Sequence, residues 1–294
     1  MSALQVLLDT SVKITVVTGS RADYGLLEWP IKVLQDDPFF DIEVLKFWNR
    51  PLDGAYSVMR TEILNNRPEI VLMLGDRYEI LGAAAACHLE RIPIAHIAGG
   101  DVTEGSYDDA MRDAISRMAT IHFVTSTSAM ARLTHMGYRN VHLVGNPGID
   151  YIKRADWKRD PPLKQPYVVV SYQAETLDGT IDFDAVLKAV AGRQAVFIMP
   201  NPDRGSDVIR KLIIDRYELE KDITWEEFLP HDEFLNLIYH CDEFIGNSSA
   251  MLYEAPELQL KTRMIGKRQR GRTIPFGDGQ ASERIVHVLK YGAL

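Results

Sequence analysis

The amino-acid sequence predicts an α/β protein of two doubly wound parallel sheets, one after the other along the chain. Short β-branched and aliphatic stretches alternate with segments of helical length, which is typical of parallel sheets covered by helices on both faces. A charged, proline-containing stretch, residues 156–166, interrupts this alternation and predicts a linker. We therefore expect two Rossmann-like domains, residues 1–155 and 156–275, with a cleft between them.

The elements of the first predicted domain follow from hydrophobic spacing. Runs of β-branched and aliphatic residues predict strands at Ile14–Thr18, Ile42–Lys46, Ile70–Leu74, Ile94–Ile97, Ile121–Thr125 and Val141–Val144. Apolar residues three and four positions apart predict helices at Leu26–Leu34, Asp53–Asn66, Tyr78–Leu89 and Tyr107–Met118.

The second predicted domain repeats the alternation. Its strands are predicted at Tyr167–Tyr172, Val196–Met199, Ile223–Phe228, Glu243–Ile245 and Arg263–Ile265. Its helices are predicted at Phe183–Val190, Asp207–Tyr217, Asp232–Tyr239 and Leu252–Leu258. A last helix, Ser282–Tyr291, has no strand after it, and we expect residues 276–294 to pack on the first domain.

The composition argues against several classes of protein. The 294 residues suffice for two cores, and 46% hydrophobic with 25% charged residues is typical of a globular protein. The formal charge of −8 argues against a general nucleic-acid or membrane binder, and no apolar run approaches the ~20 residues of a membrane helix. Cys87 and Cys241 are too few for a disulfide framework. We expect a cytoplasmic protein.

Polar turns follow several predicted strands, at the edge where parallel sheets bind ligands. Gly246-Asn247-Ser248-Ser249 offers two hydroxyls and the free N–H groups of the next helix, which suits a diphosphate; an ordinary N-cap serine is the alternative. Glu254 is either a helix charge or an acceptor for ribose hydroxyls. Residues 266–272 form a basic loop that suits phosphates or is a solvated charge run.

Carboxylates follow two neighbouring strands of the first domain. Asp76 and Asp101 each end an apolar strand, and Asp108 and Asp109 open the next helix. Neighbouring carboxylates with pKa values pushed apart provide an acid and a base, whereas helix capping is the alternative, strongest for Asp108 and Asp109.

Several common motifs are missing from the sequence. The turn with Arg21 and Asp23 lacks the GxGxxG pattern, and there is no P-loop lysine, metal-spaced Cys/His cluster or nucleophile elbow. The sequence therefore lacks the usual signatures of a dinucleotide site, a P-loop, a metal site and a serine hydrolase.

The motifs as a set resemble the hydrolysing UDP-N-acetylglucosamine 2-epimerases of sialic-acid pathways. The similarity runs in order from about Ile14 to Arg272 and is carried by residues 18–27, 74–79, 96–105 with 108–112, 246–249 with 254–256, and 268–272. The resemblance implies a GT-B-like fold with UDP held mainly by the second domain. It also implies a homodimer or homotetramer. The implied reaction eliminates UDP from UDP-N-acetylglucosamine, and water then adds to the resulting glucal. Because the implied reaction requires no metal and no redox cofactor, we expect no cofactor and no metal.

The resemblance also implies site residues. Asp76, Asp101 and Asp108 match positions for acid–base work. Arg21 matches an arginine near the diphosphate, and Glu254 the ribose-binding glutamate. The remaining substrate-binding candidates are Asp23, Gln173, Asn201, Asp203, Ser248, Ser249, Arg268 and Arg272.

The chain departs from the family pattern at identifiable positions. Ala98 stands where many relatives carry glutamate, Asp101 replaces a glutamate, and Gln173 replaces a histidine, so a charged side chain is lost there. The segment between Trp48 and Asp53 is several tens of residues shorter than in relatives. A glycosyltransferase-like enzyme and a non-catalytic nucleotide-sugar sensor are therefore the alternatives.

Overall fold

The computed structural model describes residues 11–48 and 50–292, which form two compact units. Unit 1 contains the described residues up to Val102, Asp108–Arg154, and those from Pro275 onward. Unit 2 contains Thr103–Tyr107 and Ala155–Ile274. Residues 103–107 thus belong with unit 2, although the flanking chain belongs to unit 1. The reason is local, because the Gly105 N–H donates a 3.0 Å hydrogen bond to the Arg270 carbonyl.

Unit 1 contains a six-stranded parallel sheet in the order β2-β1-β3-β4-β5-β6. Its strands are β1 Val12–Thr18, β2 Phe40–Lys46, β3 Ile70–Leu74, β4 Ile94–Ile97, β5 Ile121–Val124 and β6 Val141–Leu143. Its helices are α1 Arg21–Asp36, α2 Leu52–Asn66, α3 Tyr78–Leu89, α4 Asp109–Met118, α5 Thr127–His135, α6 Pro147–Arg154 and α11 Ala281–Tyr291. The strands are almost entirely apolar at the centre of the sheet because helices cover both faces.

Unit 2 contains a five-stranded parallel sheet in the order β11-β10-β7-β8-β9. Its strands are β7 Val168–Ser171, β8 Ala195–Ile198, β9 Ile223–Glu226, β10 Glu243–Gly246 and β11 Thr262–Met264. Its helices are α7 Phe183–Val190, α8 Ser206–Leu219, α9 His231–Tyr239 and the short α10 Glu254–Glu257, preceded by a 3-10 turn at Ser249–Met251.

In each sheet the sequence order of the strands reverses at one point, here called the switch point. In unit 1 the order reverses between β1 and β3, so the turns containing Arg21 and Asp76 are neighbours. In unit 2 it reverses between β7 and β10, so the turns containing Gln173 and Ser248 are neighbours. Ligands of doubly wound sheets bind at such points.

The predicted fold class is confirmed, with differences in the helices. Helix α1 begins at Arg21 because the Ser20 hydroxyl caps it, so Arg21 and Asp23 lie in a helical turn and not in a loop. Helices α5 and α6 were not predicted. The predicted helix Leu252–Leu258 is confirmed only over the four residues of α10, Glu254–Glu257, and the 3-10 turn Ser249–Met251 precedes it. A Pro at position 256 limits helix growth there.

The predicted linker packs tightly against unit 2. Residues 156–166 contain no helix or strand, as expected. Trp157, however, is only 1% exposed and makes an edge-to-face contact with Tyr239. The Arg159 N–H also donates to Asn236 Oδ1 at 2.9 Å. The segment is therefore fixed to α9.

No helix in residues 11–48 and 50–292 is long and apolar enough to cross a membrane.

The C-terminal helix α11 is held in unit 1 by Asp150. Its carboxylate accepts hydrogen bonds from the backbone N–H groups of Ala281 and Ser282, at 3.1 and 2.6 Å, and from the Ser282 hydroxyl at 2.7 Å. Asp150 is fully buried. It caps the N-terminus of α11 from another helix, α6, and thereby ties the end of the chain to this unit.

We expect Asp150→Ala to lower the free energy of unfolding by about 3 kcal/mol, because three buried donors lose their acceptor. Urea denaturation followed by circular dichroism measures the loss. Asp36→Ala is the matched control, since Asp36 is exposed and, among the described residues, pairs with Lys32 one turn earlier in the same helix. Equal stability of the two variants would contradict the capping role.

Candidate functional site

Arg112 organises a carboxylate cluster in unit 1. Its guanidinium donates hydrogen bonds to the carboxylates of Asp76 and Asp109, and to the backbone carbonyl of Asp101 at 2.8 Å. The Arg112 side chain is 3% exposed, whereas those of Asp76 and Asp109 are 20% and 27% exposed. The cluster therefore presents two accessible carboxylates on one buried cation.

The other predicted carboxylates have different surroundings. Asp101 is buried, and its Oδ1 accepts a 2.7 Å hydrogen bond from Thr125 Oγ1. Asp108 precedes α4 and makes no side-chain capping hydrogen bond, and its backbone carbonyl accepts from the Arg112 N–H. Asp109, which the sequence favoured as a helix-capping charge, binds Arg112 instead. The structure thus adds Asp109 to the candidates.

Asp76 does not cap a helix. The N-cap of α3 is Arg77, which makes no side-chain capping hydrogen bond. Arg77 instead forms an ion pair with the buried Glu79, at 3.1 Å from its Nε. The structure therefore does not support helix capping by Asp76. Its carboxylate forms an ion pair with Arg112 instead.

His96 holds the turn that carries Asp76. Its Nε2 lies 2.7 Å from the Gly75 carbonyl and its Nδ1 lies 3.0 Å from Ser116 Oγ. Since a carbonyl can only accept, Nε2 carries the proton and Nδ1 accepts from the Ser116 hydroxyl. Burial lowers the pKa of His96 to about 4, so the ring is neutral. His96 was not predicted as a site residue, and its place on a buried strand gave no signal.

The two residues before Asp101, Gly99 and Gly100, lie so close to neighbouring helices that a side chain would not fit. A Cβ on Gly99 would lie 2.8 Å from Ser116 Oγ, and a Cβ on Gly100 would lie 2.7 Å from the Ala129 carbonyl oxygen. Gly100 also has a φ of 80°. The preceding Ala98 has a φ of 64°, a conformation that residues with a Cβ rarely adopt. The turn is thus fixed by packing on α4 and α5.

The first turn of α1 carries Arg21 and Asp23. Burial raises the pKa of Asp23 to about 6, although Arg77 and Ser20 oppose the shift. Among the described residues, its Oδ2 has no hydrogen-bond partner. The Arg21 guanidinium lies 5.6 Å from the centre of the Trp48 ring. Both side chains lie where β1 ends, beside the turn of Asp76.

In unit 2, Gln173 and Asn247 join the turns after β7, β8 and β10. The Gln173 N–H donates to Asn247 Oδ1 at 2.7 Å, and Asn247 Nδ2 donates to the Gln173 carbonyl at 2.8 Å. Gln173 Oε1 accepts from the Asn201 N–H at 3.0 Å. Gln173 therefore links the three turns, two through its backbone and the third through its side-chain oxygen, which acts as a neutral hydrogen-bond acceptor.

The basic loop, residues 266–272, packs on the turn after β7. Glu175 Oε1 accepts from the Lys267 N–H at 2.8 Å, and Arg268 Nη1 donates to the Ala174 carbonyl at 3.0 Å. Arg268 also lies 3.6 Å from Asp203. Arg272 hydrogen-bonds to the Tyr253 hydroxyl and stacks on its ring. The loop is thus an ordered part of unit 2 and not a free charge run.

Ser248, Ser249 and Glu254 lie together beyond β10. The Ser248 hydroxyl accepts a 3.3 Å hydrogen bond from the Ala250 N–H at the start of the 3-10 turn. Glu254 is 7% exposed, and its Oε2 has no hydrogen-bond partner within the described part of the chain. Burial raises the pKa of Glu254 to about 7, while Arg272 favours the charged form. A buried acceptor without a partner is a candidate for ligand hydroxyls.

We expect Glu254→Gln to stabilise the protein at pH 8. The pKa of this carboxyl is near 4.5 in the unfolded chain and is raised to about 7 in the folded one. Because the folded state holds the proton more tightly, the free energy of unfolding falls as the pH rises from 4.5 to 7. The variant should gain about 3 kcal/mol at pH 8, and its free energy of unfolding should depend less steeply on pH between pH 5 and 7. Urea unfolding of the parent and the variant at several pH values across this range tests the prediction. If the free energy of unfolding depends on pH equally in both, Glu254 does not titrate in this way.

Among the residues that the structure describes, no group of three or more His, Cys, Asp or Glu side chains could hold a metal ion.

Comparison with known proteins gives consistent matches. A model of the protein family described as UDP-N-acetylglucosamine 2-epimerase matches residues 57–274 of this chain. The hydrolysing UDP-N,N'-diacetylbacillosamine 2-epimerase of Legionella pneumophila is 29% identical, over 96% of this chain and 86% of the relative. Polysialic acid biosynthesis protein P7 of Escherichia coli is 28% identical, over 88% and 80%.

A solved structure shows the same fold. The UDP-GlcNAc 2-epimerase of Methanocaldococcus jannaschii, in complex with UDP-GlcNAc and UDP, superimposes with a TM-score of 0.79 at 16% identity. The match covers 95% of this chain and all of the other. The shared fold agrees with the match to the family model, which spans most of the sequence. Both agree with the order of the sequence motifs described above. The chain belongs to the UDP-N-acetylglucosamine 2-epimerase family.

Proposed function

We propose that this protein is a hydrolysing UDP-N-acetylhexosamine 2-epimerase. The observation that supports this proposal most strongly is the carboxylate cluster in unit 1. There Arg112 binds Asp76, which follows β3 at the switch point of the sheet, and Asp109. Elimination needs a positioned base for the sugar C2 proton, and carboxylates of this kind supply one. The sequence relationship to hydrolysing epimerases supports the same reaction.

The proposed reaction has two balanced steps. A carboxylate of unit 1 takes the C2 proton, the C1–O bond breaks, and UDP leaves with the bonding electrons to give a 2-acetamidoglucal. Water then adds its hydroxyl to C1 and gives its proton to a carboxylate, while an acid returns a proton to C2 on the opposite face. We assign acid and base to Asp76, Asp101 and Asp108, with Asp109 as a further candidate.

Unit 2 is proposed to hold UDP. Ser248 and Ser249 offer hydroxyls for the diphosphate, and Glu254 offers a buried acceptor for ribose hydroxyls. Arg268 and Arg272 supply positive charge in the basic loop, and Gln173 aligns the turns through Asn201 and Asn247. Assembly as a homodimer or homotetramer stays a prediction.

We expect replacing both Ser248 and Ser249 by Ala to weaken UDP binding about tenfold or more, because two diphosphate hydrogen bonds are lost. Isothermal titration calorimetry with UDP measures the affinity. Ser57→Ala, on the exposed face of α2, is the control. An unchanged affinity in the double variant would remove these serines from the site.

Turnover in deuterated water tests the function. The protein is incubated with UDP-N-acetylglucosamine and, separately, with UDP-N,N'-diacetylbacillosamine, and NMR follows free UDP and the C2 position. Epimerase chemistry places one deuterium at C2 of the released sugar. UDP release without C2 deuterium would identify simple cleavage or glycosyl transfer at C1. UDP binding without turnover would favour the sensor.

A further inference from the structure

His96, a fully buried residue of β4, contacts both elements that carry the ion pair of Asp76 and Arg112. Its Nε2 lies 2.7 Å from the Gly75 carbonyl oxygen, and Gly75 directly precedes Asp76 in the chain. Its Nδ1 lies 3.0 Å from Ser116 Oγ on α4. Ser116 follows Arg112 by four residues, so the two buried side chains lie on the same face of that helix. The imidazole therefore bridges the turn of Asp76 and the helix of Arg112, within unit 1.

The turn of Asp76 is held by β4 and not by regular secondary structure of its own. Residues 75–77 belong to no helix or strand. The Gly75 N–H donates to the Ile97 carbonyl at 3.1 Å, and the Gly75 carbonyl accepts from His96. Both polar backbone groups of Gly75 are thus bonded to neighbouring residues of one strand. The position of Asp76, the next residue, depends on these two bonds.

The bridge requires one tautomer of a neutral imidazole. Since a carbonyl can only accept, Nε2 carries the proton, and Nδ1 accepts from the Ser116 hydroxyl. A charged ring would carry a second proton on Nδ1, and burial opposes this by lowering the pKa of His96 to about 4. A Cβ on Gly99 would lie 2.8 Å from Ser116 Oγ and 3.0 Å from Nδ1, so the backbone packs directly against this hydrogen bond.

We propose that His96 is a positioning residue for proton transfer, because its two hydrogen bonds fix the Asp76 carboxylate relative to the Arg112 guanidinium. This inference rests on the proposed function, in which Asp76 is an acid–base residue. His96 itself does not exchange a proton with the sugar, since it is fully buried and both of its ring nitrogens are hydrogen-bonded. Its effect on the rate comes from placement, because a proton-transfer group that is misplaced by about 1 Å can cost roughly 10²-fold in rate.

His96→Phe provides the kinetic test. We expect kcat to fall at least tenfold, because the phenyl ring keeps the shape of the imidazole and forms neither hydrogen bond. UDP affinity should change less than twofold, since UDP is proposed to bind unit 2. His96→Gln should recover part of kcat, because its amide nitrogen can donate to the Gly75 carbonyl. Urea denaturation shows whether each variant is folded under the assay conditions.

His122→Phe is the matched control. His122 is a buried histidine next to His96 on the neighbouring strand β5, and its Nδ1 has no hydrogen-bond partner within the described part of the chain. We expect its kcat to stay within twofold of the parent. A folded His96→Phe variant with the same kcat as this control would overturn the inference.

Ser116→Ala tests the second hydrogen bond and removes only a hydroxyl. We expect kcat to fall at least threefold with UDP affinity unchanged. An unchanged kcat would overturn the inference, even if neither His96 variant folds.

NMR of the parent labelled with 15N-histidine tests the bridge independently of turnover. We expect a proton on Nε2 of His96 and none on Nδ1 at pH 7. A proton on Nδ1 alone would overturn the inference, because the ring could then not donate to Gly75. Absence of UDP release by the parent would instead count against the proposed function.

Discussion

Asp76→Asn is expected to reduce turnover of the UDP-sugar about 10²-fold or more, the usual scale for a positioned proton-transfer group. The amide oxygen still accepts a hydrogen bond from Arg112, and Asp109 keeps its ion pair with the same guanidinium. UDP affinity should be unchanged, because the residue lies in unit 1. The measurements are UDP release, calorimetry with UDP, and thermal unfolding.

The outcomes separate catalysis from structure. Asp53→Asn, in the exposed first turn of α2, is the control for loss of one carboxylate. Asp109→Asn compares the two accessible carboxylates of the cluster, and the larger loss of turnover identifies the main proton-transfer group. If Asp76→Asn turns over at the parent rate, Asp76 is a structural partner of Arg112 and the chemistry belongs to another carboxylate.

Arg112→Met is expected to lower the free energy of unfolding by about 3 kcal/mol and to abolish turnover. The substitution leaves the carboxylates of Asp76 and Asp109 without their shared cation. It also removes the shorter of two guanidinium hydrogen bonds to the Asp101 carbonyl, which keeps a 3.2 Å bond from Arg132 Nη1. Arg112→Lys should recover only part of both properties, because one ammonium cannot reproduce the forked donor geometry of a guanidinium. Urea denaturation and UDP release measure the two effects.

A matched control lies on the same helix. Arg117 is exposed near the end of α4 and contacts only the Tyr138 ring in the described structure, at 5.8 Å. Arg117→Met should change the unfolding free energy by less than about 0.5 kcal/mol and leave turnover intact. Equal effects at Arg112 and Arg117 would show that the cluster contributes nothing specific.

Much of the site was predictable because the relevant signals are local. Asp76 and Ser248 each follow an apolar strand, and strand ends can be located from a few adjacent residues. Short helices contain few apolar repeats, and α5 and α6, with nine and eight residues, were not predicted. The order of strands in each sheet was not predictable from spacing, and it is this order that places the turns of Arg21 and Asp76 side by side.

The role of Gln173 illustrates a second limit. The sequence indicates only that a titratable histidine of the family pattern is absent. The structure shows that the amide side chain accepts from Asn201, 28 residues away, and that Asn247 fixes its backbone from 74 residues away. Such bonds depend on how three strands align, which no local pattern encodes.

By itself, the sequence determined the fold class, the strands of both sheets and the family, because hydrophobic period and motif order are properties of neighbouring residues. Only the tertiary structure decided that Arg112 binds Asp76 across 36 positions, and that Asp109 joins it. It also decided that Gly105 packs on the basic loop, more than 160 positions away in the chain. The Asp109–Arg112 pair itself is local, since the two residues are three positions apart on α4. The other two contacts form between segments that meet only once the sheets have assembled.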